Sequence, residues 1–210
     1  MVIGFGWGLI MLVANLFAIR KTSSDLHTKV FDTLRNAGIA EFSKEGGQKI
    51  IFASKEERIV ARVACELPSV KTIREELDVA KGSRIKFLLT LPTEVVRAYP
   101  SERNREFMRL NNRMPSYRES HTTVFYEADS PEYKEYVLGL LGRNGLTDIS
   151  IDSLLYHAPV YVSKKNRVVH CCDVVATATI SDFEVFSTAW FNGVGRLKTY
   201  GFGMIRAVAI

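Results

Sequence analysis

Residues 9–19 read Leu-Ile-Met-Leu-Val-Ala-Asn-Leu-Phe-Ala-Ile and stop at Arg20-Lys-Thr-Ser-Ser. An apolar run of this kind, ending at a charged and hydroxyl-rich turn, predicts a buried strand that feeds a helix. The helix follows from the next spacing. Leu26, Val30, Phe31 and Leu34 recur on one face, Ser23 or Ser24 can cap a start at Asp25, and Gly38 ends it. Two shorter runs, Lys49 to Ser54 and Arg58 to Glu66, flank a charged turn and predict a hairpin. Past Pro68, Val70 to Ala80 reads as a second helix and Arg84 to Leu91 as a further strand. The order β-α-β-β-α-β over about 90 residues is that of the ferredoxin-like unit.

The second half repeats the order. Glu132 to Leu141 predicts a helix ending near Gly142. Asp148 to Val162 and Val168 to Ile180 predict two strands around a basic turn. Asp182 to Phe191, capped by Ser181 or Asp182, predicts the next helix, and Met204 to Val208 the closing strand. The expected class is therefore α+β: two tandem ferredoxin-like (RRM-like) domains, residues 1–92 and 93–210, with a Gly-rich loop near the C-terminus. The strand Arg84 to Leu91 falls at the junction and could serve either unit.

Composition alters this picture in three places. Met1 to Ala18 carries no charge, which also suits a membrane anchor, but no Lys or Arg precedes Arg20 and no small-residue cleavage site follows, so a buried strand is expected rather than a span. Cys65, Cys171 and Cys172 form no CxxC pair and leave an odd thiol. That favours a reducing, cytoplasmic setting, with one of the adjacent pair in the core and the other on the outer face of a strand. His121, His157 and His170 lack paired metal-ligand spacings, so no metal and no cofactor are expected. The net charge of +5 admits a polyanionic partner.

The positive charge is concentrated. Gly193-Val-Gly-Arg-Leu-Lys-Thr-Tyr-Gly-Phe-Gly203 interleaves Gly193, Gly195, Gly201 and Gly203 with Arg196 and Lys198. Glycine reaches φ > 0 and lets backbone amides approach an anion. Between the two units, Arg97, Arg103, Arg105, Arg109, Arg113 and Arg118 stand among Tyr99, Phe107 and Tyr117. Guanidinium forks for phosphate and aromatic faces for bases suit RNA. Lys164, Lys165 and Arg167 form a basic knot at the predicted turn between the last two long strands. For chemistry, RNA carries its own nucleophile in the 2′-hydroxyl, so cleavage needs a base, an acid and cations. His27, in the first turn of the first helix and near Arg20 and Lys21, is the best placed imidazole, and its position alone equally suits an ordinary exposed histidine.

The stretch from Cys172 to Ile205, with the Gly-rich run at its centre, resembles the G-x-G-x-x-K-x-x-G-x-G signature of CRISPR-associated RNA-processing endoribonucleases, especially the CasE (Cse3) branch of the repeat-associated RNA-binding superfamily. Asp25-Leu26-His27, followed by Val30, Phe31 and Leu34, resembles the segment that holds that family's catalytic histidine. The resemblance implies a nuclease that cuts the repeats of a CRISPR transcript at the base of a hairpin, without metal, leaving 2′,3′-cyclic phosphate and 5′-hydroxyl ends. It implies His27 as general acid or base, and Lys164, Lys165 and Arg167 as a grip on the RNA stem. Repeat RNA, the mature guide and other effector-complex subunits are the implied partners. The family often carries a Tyr three residues before the His. Here that position is Ser24, so the second catalytic group is unassigned, with Arg20, Lys21 or a tyrosine elsewhere as candidates. The Arg-rich insert is larger than the family needs, which keeps open a processing nuclease from a less common CRISPR type, such as type IV. The alternative is a non-catalytic RNA-binding subunit of an effector complex.

Overall fold

A computed structural model describes residues 2–4, 10–20, 26–38, 50–55, 57–67, 69–162 and 166–210. The expected cap Ser23 or Ser24, Lys21, Lys164 and Lys165 lie outside the described residues.

The first sheet is built on β2 (Ile10–Arg20), flanked by β4 (Arg58–Val63) on one side and β5 (Ile73–Val79) on the other. β3 (Ile50–Lys55) forms the edge beyond β4, and β1 (Val2–Gly4) pairs with the start of β2. Helix α1 (Leu26–Asn36) buries Leu26, Val30 and Leu34 against Phe17, Phe52, Ile59 and Ala61 on one face of this sheet.

One element departs from expectation. Val70 to Ala80 is not a helix; its core is β5. Ile73, Glu75, Leu77 and Val79 alternate with Arg74, Glu76 and Asp78, and the buried residues Leu77 and Val79 are two apart, which is the period of a strand. The Glu-Glu-Leu composition favours a helix locally. Pairing with seven successive residues of β2 overrides it. Among the described residues the first unit thus has its four ferredoxin-like strands and one helix.

The second sheet runs β11 (Arg206–Ala209), β6 (Arg84–Pro92), β10 (Arg167–Ile180), β9 (Leu146–Val162). With α4 (Pro131–Gly142) and α5 (Phe183–Asn192) as its helices, this is the complete ferredoxin-like order. Ser130 caps α4 by accepting from the Tyr133 N–H, and Asp182 caps α5 by accepting from the Val185 N–H. β6 is an inner strand of this sheet, so the division expected at residue 92 is not where the sheets divide. The changeover lies in the turn just before Arg84, where the Ser83 N–H bonds the Ala80 carbonyl. Between β6 and α4 the chain makes an excursion: β7 (Glu94–Ala98), α2 (Ser101–Asn111), α3 (Tyr117–Ser120) and β8 (His121–Phe125), with β7 and β8 paired to each other.

The two units share a seam. Leu12 and Ala14 of β2 belong to the main core with Phe87, Leu89, Val174, Phe186 and Trp190, and Ile51 and Ala53 of β3 pack on Met204. Arg62, on the seam face of β4, is wholly buried. Its Nε and Nη2 donate to the Glu75 carboxylate at 2.5 and 2.7 Å, Nη1 to the Trp190 carbonyl at 2.7 Å, and Nη2 also to the Ile205 carbonyl at 2.9 Å. Its guanidinium lies 4.0 Å from the centre of the Trp190 ring. A buried cation of this kind is tolerated because charge, hydrogen bonds and a π-face all answer it.

Cys171 and Cys172 depart from expectation as well, since both are buried. Cys172 faces the main core, and Cys171 faces a second cluster under Phe202, so β10 is covered on both faces there. Burial, aided by nearby Asp173, pushes the thiols up to about 12 and about 11, which makes poor nucleophiles of them.

Candidate functional site

The Gly-rich segment begins where α5 ends and explains why four glycines are needed. All four have positive φ: 72° at Gly193, 76° at Gly195, 96° at Gly201 and 77° at Gly203. The segment closes on itself, with the Val194 N–H donating to the Gly203 carbonyl at 2.9 Å and the Gly203 N–H to Thr90 at 2.8 Å. At Gly203 a Cβ would stand 1.9 Å from the Val194 carbonyl oxygen. Gly193 abuts Ile51 and Gly201 abuts Phe52, adjacent residues of β3 whose side chains point to opposite faces. The segment therefore wraps the strand that forms the sheet edge among the described residues, passing from the seam face to the face that carries α1. Gly193, Gly201 and Gly203 are buried, so they serve close packing and do not bare amides to a ligand.

That path delivers Tyr200, the last residue of the short 3-10 turn Lys198–Tyr200, to the start of α1. The His27 ring is stacked on Phe31 of its own helix at 4.3 Å between centroids, and Tyr200 lies 5.6 Å away, tilted by 35°. Tyr200, Leu197 and Phe202 also pack with Val160, Val162 and Val169, at the turn end of the long β9–β10 ribbon. His27, Tyr200 and the turn end of the ribbon, which are widely separated in sequence, form one place in the fold.

The other candidates distribute around it. Arg20 ends β2, is exposed, and sits directly opposite Arg58. Arg167 is not a free cation at a hairpin tip: it grips the buried Glu94 with both terminal nitrogens, at 3.1 and 2.5 Å, and so braces β7 against β10. Lys198 Nζ donates to the Gly193 carbonyl at 3.4 Å. Arg196 is half-buried near Tyr136 of α4, where burial pushes the Tyr136 phenol up against the pull of Arg196 and of Arg143, the residue that follows the helix.

The Arg-rich stretch is an exposed helix and turn. α2 buries none of its residues. Arg103 lies 3.4 Å from the centre of the Tyr99 ring, Arg97 5.3 Å from Tyr126 and Arg113 4.9 Å from Phe107. Arg105 approaches Glu102 at 3.8 Å, and Arg113 holds Glu119 at 3.0 and 2.8 Å. The Glu119 carboxyl is lowered to about 2, first by its bond to Arg113 and then by Ser116. Arg109 and Arg118 are exposed.

No family description and no curated protein matches the sequence. Solved structures do. A CRISPR endoribonuclease Cse3 bound to a 19-nucleotide RNA aligns over 97% of this chain and 100% of its own, with a TM-score of 0.61 at 13% identity. The chain has the Cse3 fold. The CRISPR-associated protein Cas6e of Escherichia coli K-12 aligns over 94% and 99%, with a TM-score of 0.58 and 15% identity. A chain of a CRISPR RNA-guided surveillance complex aligns over 93% and 100%, with a TM-score of 0.55 and 17% identity. The Cse3 fold is thus spanned end to end, with the Gly-rich segment and α1 meeting within it.

Sequence reasoning missed Arg62 and left Tyr200 among unspecified tyrosines. A lone Arg between Val60-Ala61 and Val63 was the available signal for the first. For the second it was a Tyr inside the Gly-rich run. Among the described residues no helix is long and apolar enough to cross a membrane.

Proposed function

We propose that this chain is an endoribonuclease that processes CRISPR precursor RNA, binding a repeat hairpin and cutting at its base. The observation that supports it most is the meeting of His27 with Tyr200, which joins two separated sequence motifs at one point of the Cse3 fold.

In this reading the 2′-oxygen of the nucleotide before the cut attacks the adjacent phosphorus and the bond to the 5′-oxygen breaks. A cyclic phosphate and a 5′-hydroxyl result. One proton leaves the 2′-oxygen and one is delivered to the 5′-oxygen. His27 performs one of these transfers, and the Tyr200 phenol, beside it, is the candidate for the other where Ser24 replaces the family's tyrosine. Holding the 2′-oxygen in line with the leaving group supplies a further share of the rate. Arg20, Lys198 and Arg196, with Lys164 and Lys165, are the proposed phosphate contacts near the stem, and the α2 arginines a second basic surface. The likeness to a surveillance-complex chain supports retention of the product as a subunit of an effector complex.

The test is cleavage of a cognate repeat hairpin in EDTA by the wild type and by His27→Ala. Cleavage should fall by about 10²–10⁴-fold in the variant with binding retained. Tight binding with no product from the wild type would instead favour the non-catalytic RNA-binding subunit, and strict dependence on added metal would refute the mechanism.

A further inference from the structure

We propose that a cleft between the end of β8 and the β9–β10 sheet is a stacking site for one unpaired nucleobase of a bound RNA. It rests on the RNA reading above and adds a place for nucleotides outside the stem.

The cleft has a volume of about 290 Å³ and is lined by Thr93, Phe125, Tyr126, Glu127, Tyr156 and His170, among others. Clefts that hold small ligands start at roughly 300 Å³, so this one suits a single planar group and is too small for a docked helix. Phe125 and Tyr156 are each 68% exposed. Two aromatic faces left open around one cleft are unusual unless a flat partner covers them.

The surroundings favour a base. Arg97 lies 5.3 Å from the centre of the Tyr126 ring, so a cation stands at the edge of the aromatic wall, where the phosphate of a stacked nucleotide would lie. The excursion that supplies this wall carries six arginines against Glu94, Glu102, Glu106 and Glu119, a charge balance complementary to a nucleic-acid backbone. Glu127 offers an acceptor for an exocyclic amino group, so bases with one are preferred over uracil.

The cleft is also formed in advance. The Thr93 N–H donates to the His170 carbonyl at 3.0 Å, and the Tyr126 N–H to the Thr93 carbonyl at 3.1 Å. These bonds tie β10, the β6–β7 junction and the end of β8 together at the floor. A site that need not reorganise loses less on binding.

The experiment uses the intact chain and a stem-loop RNA whose unpaired flank carries 2-aminopurine. Binding should quench the probe. Tyr156→Ala and Phe125→Ala should abolish the quench and weaken binding of the flanked RNA by about 5- to 150-fold, while affinity for the blunt stem-loop is unchanged. Tyr156→Phe, which keeps the ring, should behave as wild type, and Tyr156→Leu, which keeps apolar bulk without a π-face, should not. A wild-type chain that binds the stem-loop without quenching the probe loses this site alone, whereas one that binds neither RNA loses the RNA reading with it. Alanine variants that bind both RNAs normally but fail to assemble with a protein partner would assign the cleft to that protein and overturn the proposal.

Discussion

The Gly-rich segment and the Arg-rich excursion are two regions whose composition points to a polyanion, and they fold in opposite ways. The first wraps the edge of β3 with Gly193, Gly201 and Gly203 buried, and its Val194 and Phe202 are core residues. The second displays α2 with no buried residue and its arginines in solvent. In one, the unusual composition answers a packing requirement; in the other, it leaves charge available. Substitutions of the glycines in the first should therefore act through stability and the seating of Tyr200 on His27. Substitutions in the second should act through affinity and its salt dependence.

The largest break expected is at the clamp that holds both ends of the Gly-rich segment. Arg62 bonds the carbonyls of Trp190, just before the segment, and Ile205, just after it. Arg62→Ala leaves Glu75 and both carbonyls without it and should cost about 3–5 kcal/mol, measured by urea denaturation. A loss below about 1 kcal/mol would mean that the segment is held by packing alone.

Gly203→Ala comes next. A positive φ and a Cβ pressed on the Val194 carbonyl should together cost about 3 kcal/mol. Gly82 is a matched control, because its φ is 90° and nothing stands within 4 Å of a Cβ there. Gly82→Ala should cost only the backbone strain, about 1–2 kcal/mol. Equal thermal shifts for the two would remove close packing from the account of the segment.

The smallest effect on stability, and the sharpest on binding, is expected in α2. Replacing Arg103, Arg105 and Arg109 together by Gln should change stability by no more than about 0.5 kcal/mol per site. The slope of log affinity against log salt should flatten by about 0.7–0.9 for each phosphate that no longer meets a guanidinium. An unchanged slope would make the excursion a solvated surface and nothing more.

Much of this was legible in the sequence. α1, β2 and the β3–β4 hairpin follow from hydrophobic period and turn residues, and α5 was placed to within a residue, with Asp182 one of its two candidate caps. β5 was not, because its Glu-Glu-Leu run is helical in local preference and only the ladder with β2 makes it a strand. Nor was the allegiance of β6, since a strand at a junction carries no mark of which sheet it will join. Within the candidate site, His27 and the Gly-rich run could be named separately. Their meeting through Tyr200 could not, because it depends on the segment crossing an edge strand of the other unit. Arg167 read as a tip cation, and the buried Glu94 that claims it lies 73 residues away in the chain.

Arg62 also sets a timetable for synthesis. Glu75 follows it by 13 residues, but Trp190 follows by 128 and Ile205 by 143. At about 5–20 residues per second, the ribosome needs roughly 7–30 s between making the arginine and making its last partner. Throughout that interval the nascent first unit presents an apolar sheet face, including Leu16, Ile51 and Val60, with a half-answered cation in it. Only the closing turns of the chain cover both.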